Sequence, residues 1–314
     1  MPKLRYHPFR HHPSRRDVIA GAGALAISSA LPAWAQDTAI LKKKIPHGGE
    51  MLPVVGLGTA IVFNVGEDAA ERTQRREVLE TLVAGGGSLV DTASSYGRAE
   101  GVVGDLAAEA KLRDKLFIAT KVRVLDKASS VDEFQRSLKL LRTPKVDLLQ
   151  LHNVRDPNQS LALYREWKAQ GLCRYIGITT SFDNDHDAVA ACAAREKPDF
   201  VQVNYSINDR ECEARVLPAA KDAGAAVLCN LPFGRASLFK LVRGKPLPDW
   251  AAEFDAKSWG QFFLKFLISH EAVTAVIPGT TKKEHMLDNL GAGRGRLPDA
   301  GMRKRMVEYI EKLG

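Results

Sequence analysis

The sequence predicts an α/β fold: a closed (β/α)8 TIM barrel with an N-terminal β-hairpin and a C-terminal extra helix. Three observations predict it. Eight short apolar runs recur between residues 54 and 278, most of them continuous, as in strands covered on both faces. Segments with helical spacing lie between these runs. The 314-residue chain is also long enough for one barrel of about 250 residues. A doubly wound open sheet is the alternative arrangement of the same units.

The elements follow in order. Residues 43–45 and 51–53 read as a small hairpin around His47-Gly48-Gly49. The eight strands are expected at 54–57, 88–91, 116–121, 147–152, 175–179, 200–205, 226–230 and 274–278. Gly85-Gly86-Gly87 stops a helix just before the second strand. Val131, Phe134, Leu138 and Leu141 share one helical face, and Ser130 with Glu133 has the spacing of a capping box. The stretch 235–256 is the longest loop after a strand, and residues 297–313 read as the extra helix.

Composition excludes several classes. Hydrophobic residues make up 45% of the chain, too many for a mainly disordered protein. Cys173, Cys192, Cys212 and Cys229 contain no C-x-x-C pair, which argues against a zinc ribbon and a disulfide scaffold. The net charge is +8. Half of it comes from the first 35 residues, where Lys3, Arg5, Arg10, Arg15 and Arg16 face Asp17 alone. The remaining +4 is no nucleic-acid footprint.

Residues 1–35 read as an address and 36–314 as a single domain. Ser14-Arg15-Arg16-Asp17 closes a basic segment, an apolar run follows over 18–31, and Ala33-Trp34-Ala35 has the A-x-A form of a cleavage site. The paired arginines suggest the twin-arginine (Tat) export machinery, with cleavage after Ala35 and an exported or periplasmic product. The apolar run is shorter than the about 20 residues a spanning helix needs, so no stable membrane insertion is expected after cleavage.

In such a barrel, chemistry sits at the C-terminal ends of the strands. The second strand ends at Asp91, followed by Thr92-Ala93-Ser94-Ser95-Tyr96-Gly97; the third ends at Lys121; the fourth ends Leu149-Gln150-Leu151-His152-Asn153. Closing the barrel would aim an acid, a phenol, an ammonium and an imidazole at one point. A free phenol titrates near pH 10, so alone it is a poor proton shuttle at neutrality. A neighbouring ammonium favours the phenolate, and a carboxylate keeps that ammonium charged. An imidazole can orient a substrate oxygen. Such a site suits carbonyl reduction and requires a hydride source but no metal. A hydrolytic barrel would need paired acids or metal ligands at the strand ends, and neither set is present.

These motifs resemble the catalytic motifs of the aldo-keto reductase family, and the similarity runs from Gly56-Leu57-Gly58-Thr59 to Asn289. The resemblance implies Asp91, Tyr96, Lys121 and His152 as a catalytic tetrad, with Tyr96 as proton donor and a nicotinamide cofactor. Gly58, Thr59 and Asp91 would line the cofactor side of the first two strand ends. Thr179, Thr180 and Gln202 would hold the nicotinamide amide. Backbone N–H groups around Leu231, Phe233 and Gly234 would bind the pyrophosphate. Gly279, Thr280, Lys282, His285 and Asn289 would meet the adenosine end, where a helix start suits a phosphate. Relatives often carry Lys and Arg where Gly279 and His285 stand, Asn at Thr180, and a stacking tyrosine at Asn230. These departures weaken the contacts to a 2′-phosphate; NADPH is still favoured over NADH, with Lys282 or Lys283 supplying part of the missing charge. Ile61, Phe63 and Asn153 are expected at a partly apolar mouth that suits an aldehyde or ketone. The departures at Thr180, Asn230 and Gly279 motivate the alternative, a catalytically weak cofactor-binding regulatory or interaction protein on the same barrel.

Overall fold

The computed structural model describes residues 39–123 and 126–314. The address segment expected over 1–35 lies outside the described residues. Strands β1 (Lys42–Lys44) and β2 (Met51–Pro53) form the antiparallel hairpin. Eight parallel strands follow: β3 (Leu57–Gly58), β4 (Leu89–Asp91), β5 (Phe117–Val122), β6 (Val146–Leu151), β7 (Cys173–Thr179), β8 (Phe200–Asn204), β9 (Ala226–Asn230) and β10 (Val273–Val276). Each pairs with its sequence neighbour. The chain just before β3 meets β10: Gly56 N donates to Val276 O at 2.9 Å, and Val276 N donates to Val54 O at 3.0 Å. These bonds join the two outer strands, and the sheet closes as a (β/α)8 barrel.

The helices between strands are α1 (Ala69–Ala84), α2 (Ala99–Glu109), α3 (Lys127–Leu140), α4 (Ala162–Ala169), α5 (His186–Glu196), α6 (Val216–Asp222), α7 (Ser237–Leu241), α8 (Trp259–Ile268) and α9 (Lys283–Gly291). The last helix, α10 (Ala300–Glu311), packs by Met306 and Ile310. Four of these helices start on a side chain that accepts from a free backbone N–H: Asp68, Asp126, Ser258 and Asp299. Helix α1 stops at Gly85, and Gly86 takes φ +89°, which turns the chain into β4. The capping box expected at Ser130 is displaced. Asp126 caps α3 one turn earlier, and the Ser130 hydroxyl instead donates to the Asp126 carbonyl at 2.7 Å. The loop over 235–256 carries α7 and a further helical turn at Asp249–Phe254.

The apolar interior has two parts. Ile45 and Leu52 of the hairpin join Leu89, Phe117, Leu148, Tyr175 and Phe200 inside the barrel, so the hairpin plugs its N-terminal end. A second, larger cluster lies between the barrel wall and the helices. Cys173, Cys192, Cys212 and Cys229 are all buried sulfhydryls.

Candidate active site

Strand periodicity delivers the site. Side chains alternate along a strand, so residues two apart share a face. Leu89 points into the barrel, and therefore so does Asp91. Phe117 and Ala119 point inward, and so does Lys121. Leu148 is followed by Gln150 and His152, Phe200 by Gln202, and Leu228 by Asn230. The apolar layers fill the lower barrel, and the next layer toward the C-terminal ends is polar.

The ammonium of Lys121 is 1% exposed and donates to Asp91 Oδ2 at 2.6 Å and to Thr92 O at 2.8 Å. It lies 5.0 Å from the centroid of the Tyr96 ring. His152 meets the same ring edge-on, with centroids 5.9 Å apart. All four predicted side chains thus converge. Burial alone would strip Lys121 of its proton, but the Asp91 carboxylate and the Tyr96 hydroxyl outweigh it and hold its pKa above the ordinary lysine value. Burial also pushes Asp91 up from the usual carboxylate value, against the pull of Lys121 and the carboxamides of Gln202 and Gln150. With two close acceptors on one ammonium, the ionised pair is the form the geometry fits. Burial, then the charges of Lys121 and Arg123, push His152 down to about 3, so its ring is neutral at ordinary pH.

The loop carrying Tyr96 is tied on both sides. Thr59 donates both its N–H and its hydroxyl to Asp91 O, each at 2.9 Å. Thr92 N donates to Ala119 O at 2.9 Å, and Ser94 N donates to Lys121 O at 3.2 Å. The Ser94 hydroxyl reaches Glu133 on α3. Ser95 Oγ lies 3.4 Å from His152 Nδ1. Gly97 takes φ +62°, and a Cβ there would sit 2.5 Å from Asn64 Oδ1, the atom that accepts from Arg98 N.

Gln150 was not singled out in the sequence as a site residue. It is fully buried, and its Nε2 donates to Gln202 Oε1 at 2.8 Å and lies 3.4 Å from Asp91 Oδ1. The signal was available: a polar residue inside an apolar run, two before His152, shares the inward face. Room for it comes from Gly177, where a Cβ would lie 3.1 Å from Gln150 Cγ.

The residues assigned to a nicotinamide cofactor divide into two groups. Thr179 and Gln202 are buried at neighbouring strand ends and paired in register. Buried oxygens without a hydrogen-bond partner occur at three strand ends: Thr92 Oγ1, Gln150 Oε1 and Asn230 Oδ1. Leu231, Gly234, Arg235 and Ala236 all take positive φ, and of the N–H groups assigned to the pyrophosphate that of Gly234 is engaged within the loop, donating to Leu231 O at 2.9 Å. Gly58 and Gly279 bring two strand-end backbones together, since a Cβ on Gly279 would lie 3.2 Å from Gly58 O. This polar, glycine-lined rim fits a ligand rich in amide and phosphate groups. Other assigned groups are already engaged. Thr180 Oγ1 bonds to Asp185 and to Phe182 N, and Thr280 Oγ1 accepts from Lys282 N. Phe233 packs on Phe239, with centroids 4.8 Å apart. Asn289 is buried, whereas Lys282 and His285 are exposed beside the start of α9. Lys283 pairs with Glu77 at 3.3 Å.

At the expected mouth, Ile61 is 82% exposed and takes φ +66°, and Asn153 takes φ +60°. Phe63 does not line the mouth. It is fully buried in the cluster between wall and helices, because the turn at Ile61 directs it inward. A separate cavity of about 560 Å³ includes Arg113, Lys115, Arg142, Lys145 and Arg174 in its lining. It opens at the strand beginnings, the opposite end from Asp91 and Lys121, and takes no part in this constellation. Among the described residues, no cluster of three or more His, Cys, Asp or Glu could hold a metal, and no helix is long and apolar enough to cross a membrane.

Residues 54–307 match the aldo/keto reductase family. The chain is 32% identical over 220 residues to aldo-keto reductase YhdN of Bacillus subtilis, a match covering 64% of this chain and 63% of YhdN. It is 28% identical over 257 residues to methylglyoxal reductase YeaE of Escherichia coli, covering 79% of this chain and 88% of YeaE. Among solved structures, an aldo/keto reductase from Klebsiella pneumoniae in complex with NADP and acetate superposes with a TM-score of 0.70. That similarity is at 24% identity and covers 86% of this chain and 95% of the other.

Proposed function

The chain belongs to the aldo/keto reductase family, and from that premise we propose that it is an NADP(H)-dependent carbonyl reductase in which Tyr96 donates the proton. The observation that carries this reading is the ammonium of Lys121, clamped at 2.6 Å by Asp91 and lying 5.0 Å from the centre of the Tyr96 ring. When bound, NADPH would supply the hydride for the carbonyl carbon. The protein's own groups do the rest. His152, neutral, donates a hydrogen bond to the carbonyl oxygen and orients it. Tyr96 passes its hydroxyl proton to that oxygen as the C–O double bond becomes single, and the product is an alcohol. Lys121 stabilises the phenolate left behind, and Asp91 keeps Lys121 charged.

Thr179, Gln202 and the loop from Leu231 to Ala236 would hold the cofactor. Lys282 is the cation near the adenosine end without an acidic partner among the described residues. The engagement of Lys283 by Glu77 leaves less charge there for a 2′-phosphate. Relatives named methylglyoxal reductase make a small ketoaldehyde the first substrate to try. The test is NADPH oxidation with a panel of aldehydes and ketones, alongside cofactor fluorescence quenching. Tyr96→Phe is expected to lose nearly all turnover and keep cofactor binding. Normal turnover by that variant would refute the proton-donor assignment. Tight NADPH binding with no turnover across the panel would favour the regulatory alternative, for which the engaged hydroxyl of Thr180 speaks. Export through the twin-arginine route remains part of the proposal, supported by Arg15-Arg16 and the A-x-A site. N-terminal sequencing of the fractionated protein should find Gln36 first; an intact N-terminus confined to the cytoplasm would defeat it.

A further inference from the structure

We propose that Ser95 is a positioning residue that selects the tautomer of His152, by donating its hydroxyl proton to Nδ1 so that Nε2 carries the hydrogen offered to the substrate oxygen. The inference rests on the proposed function, because it concerns the group that orients the carbonyl.

A neutral imidazole has one N–H and one lone pair. Which nitrogen carries the hydrogen is set by the hydrogen bond the other makes. His152 is neutral through the working pH range, since burial and the charges of Lys121 and Arg123 oppose its protonation. With the hydrogen on Nδ1, Nε2 would turn a lone pair toward a carbonyl oxygen, which cannot bond. The hydrogen on Nε2 makes the ring a donor. The only hydrogen-bonding group described within reach of either ring nitrogen is Ser95 Oγ, 3.4 Å from Nδ1. That hydroxyl is exposed, and Nδ1 is the one protein group it meets among the described residues, so its proton is shared between Nδ1 and solvent.

The backbone around Ser95 is fixed for this purpose. On one side, the Ser94 hydroxyl is held by Glu133 and lies 3.0 Å from Lys121 O. On the other, Tyr96 N donates to Ala93 O at 3.0 Å, closing a turn across Ser94 and Ser95. His152 is anchored in turn by its N–H, which donates to Val122 O at 3.1 Å. Consecutive residues thereby carry the proton donor and the group that sets its neighbour's hydrogen.

The test is carried out on the full chain with ¹⁵N-labelled histidine at neutral pH, with His152→Asn used to assign the ring signals. The wild type is expected to show Nε2 protonated and Nδ1 bare. Ser95→Ala should shift these signals toward a mixture of tautomers and lower kcat by about five- to tenfold, the loss of one hydrogen bond. NADPH binding by fluorescence quenching should be unchanged. Ser95→Thr, which keeps the hydroxyl, should restore both the signals and kcat. Ser95→Gly provides a second hydroxyl-free variant if the alanine chain folds poorly. Unchanged ring signals in the hydroxyl-free variants overturn the inference whether or not kcat falls, and so does a tautomer shift that leaves kcat untouched. The ring signals need no turnover, so they stay readable if Tyr96→Phe removes the proton-donor reading on its own.

Discussion

Replacing Lys121 by methionine should separate stability from catalysis. At 2.6 Å, with an effective dielectric of about 20, the attraction between Lys121 and Asp91 is about 6 kcal/mol. Removing both charges from water offsets part of that, which is why the net worth of such a pair is small while the loss of one partner is not. Lys121→Met leaves a carboxylate that is 2% exposed with no counter-charge, and its remaining donors, the carboxamides of Gln150 and Gln202, both lie 3.4 Å away. We expect a loss of about 3–5 kcal/mol in urea unfolding at pH 7. Adding Asp91→Asn removes the stranded charge, so the double variant should recover most of that loss. It should nevertheless remain inactive, because no ammonium stands by Tyr96. The midpoint and slope of unfolding, followed together with NADPH-linked turnover, read both quantities. A loss below about 1 kcal/mol in Lys121→Met, or a double variant no more stable than the single, would refute the buried-pair reasoning.

Two further outcomes follow from the geometry. His152 has a folded pKa pushed down to about 3, against about 6.5 when unfolded. Between these values the unfolded chain binds a proton that the folded chain does not, so the group's contribution is constant above pH 6.5 and turns unfavourable as pH falls toward 3. Relative to His152→Asn, the wild type should therefore lose stability on acidification by at most about 1.4 kcal/mol per pH unit, and its kcat profile should show no His152 inflection near 6.5; a gap independent of pH contradicts this. At the barrel seam, Gly58→Ala would place a Cβ 2.7 Å from the Ile277 carbonyl. Gly58 N donates to Pro278 O at 3.2 Å and Ile277 N to Cys229 O at 3.0 Å, so neither backbone yields easily. The variant should lose about 1–3 kcal/mol in the same unfolding assay, and an unchanged midpoint would mean that the seam relaxes.

The barrel was legible because its strands are continuous apolar runs ending in polar residues, and inward periodicity then places Asp91, Lys121 and His152 in one layer. Local competition was not legible. Ser130 and Glu133 have capping-box spacing, but Glu133 is drawn to Ser94 and Asp126 takes the cap. Thr180 and Thr280 stand where a ligand contact was expected, yet each hydroxyl bonds within its own turn, as threonines after a strand often do. Phe63 reads as a rim residue until the left-handed turn at Ile61 sends it inward. Gln150 was missed because an amide in an apolar run shows its role only when three strand ends meet.

The four buried sulfhydryls, two on barrel strands and two on the helical layer, leave the folded chain with little thiol chemistry to offer an oxidant. Thiol–disulfide exchange needs an accessible thiolate. Burial pushes Cys173 up to about 12 and Cys192 to about 11, and raises Cys212 and Cys229 further. Each is thus both sheltered and protonated. The barrel can keep one covalent state in reducing or oxidising surroundings alike, with no bridge to form and none to break.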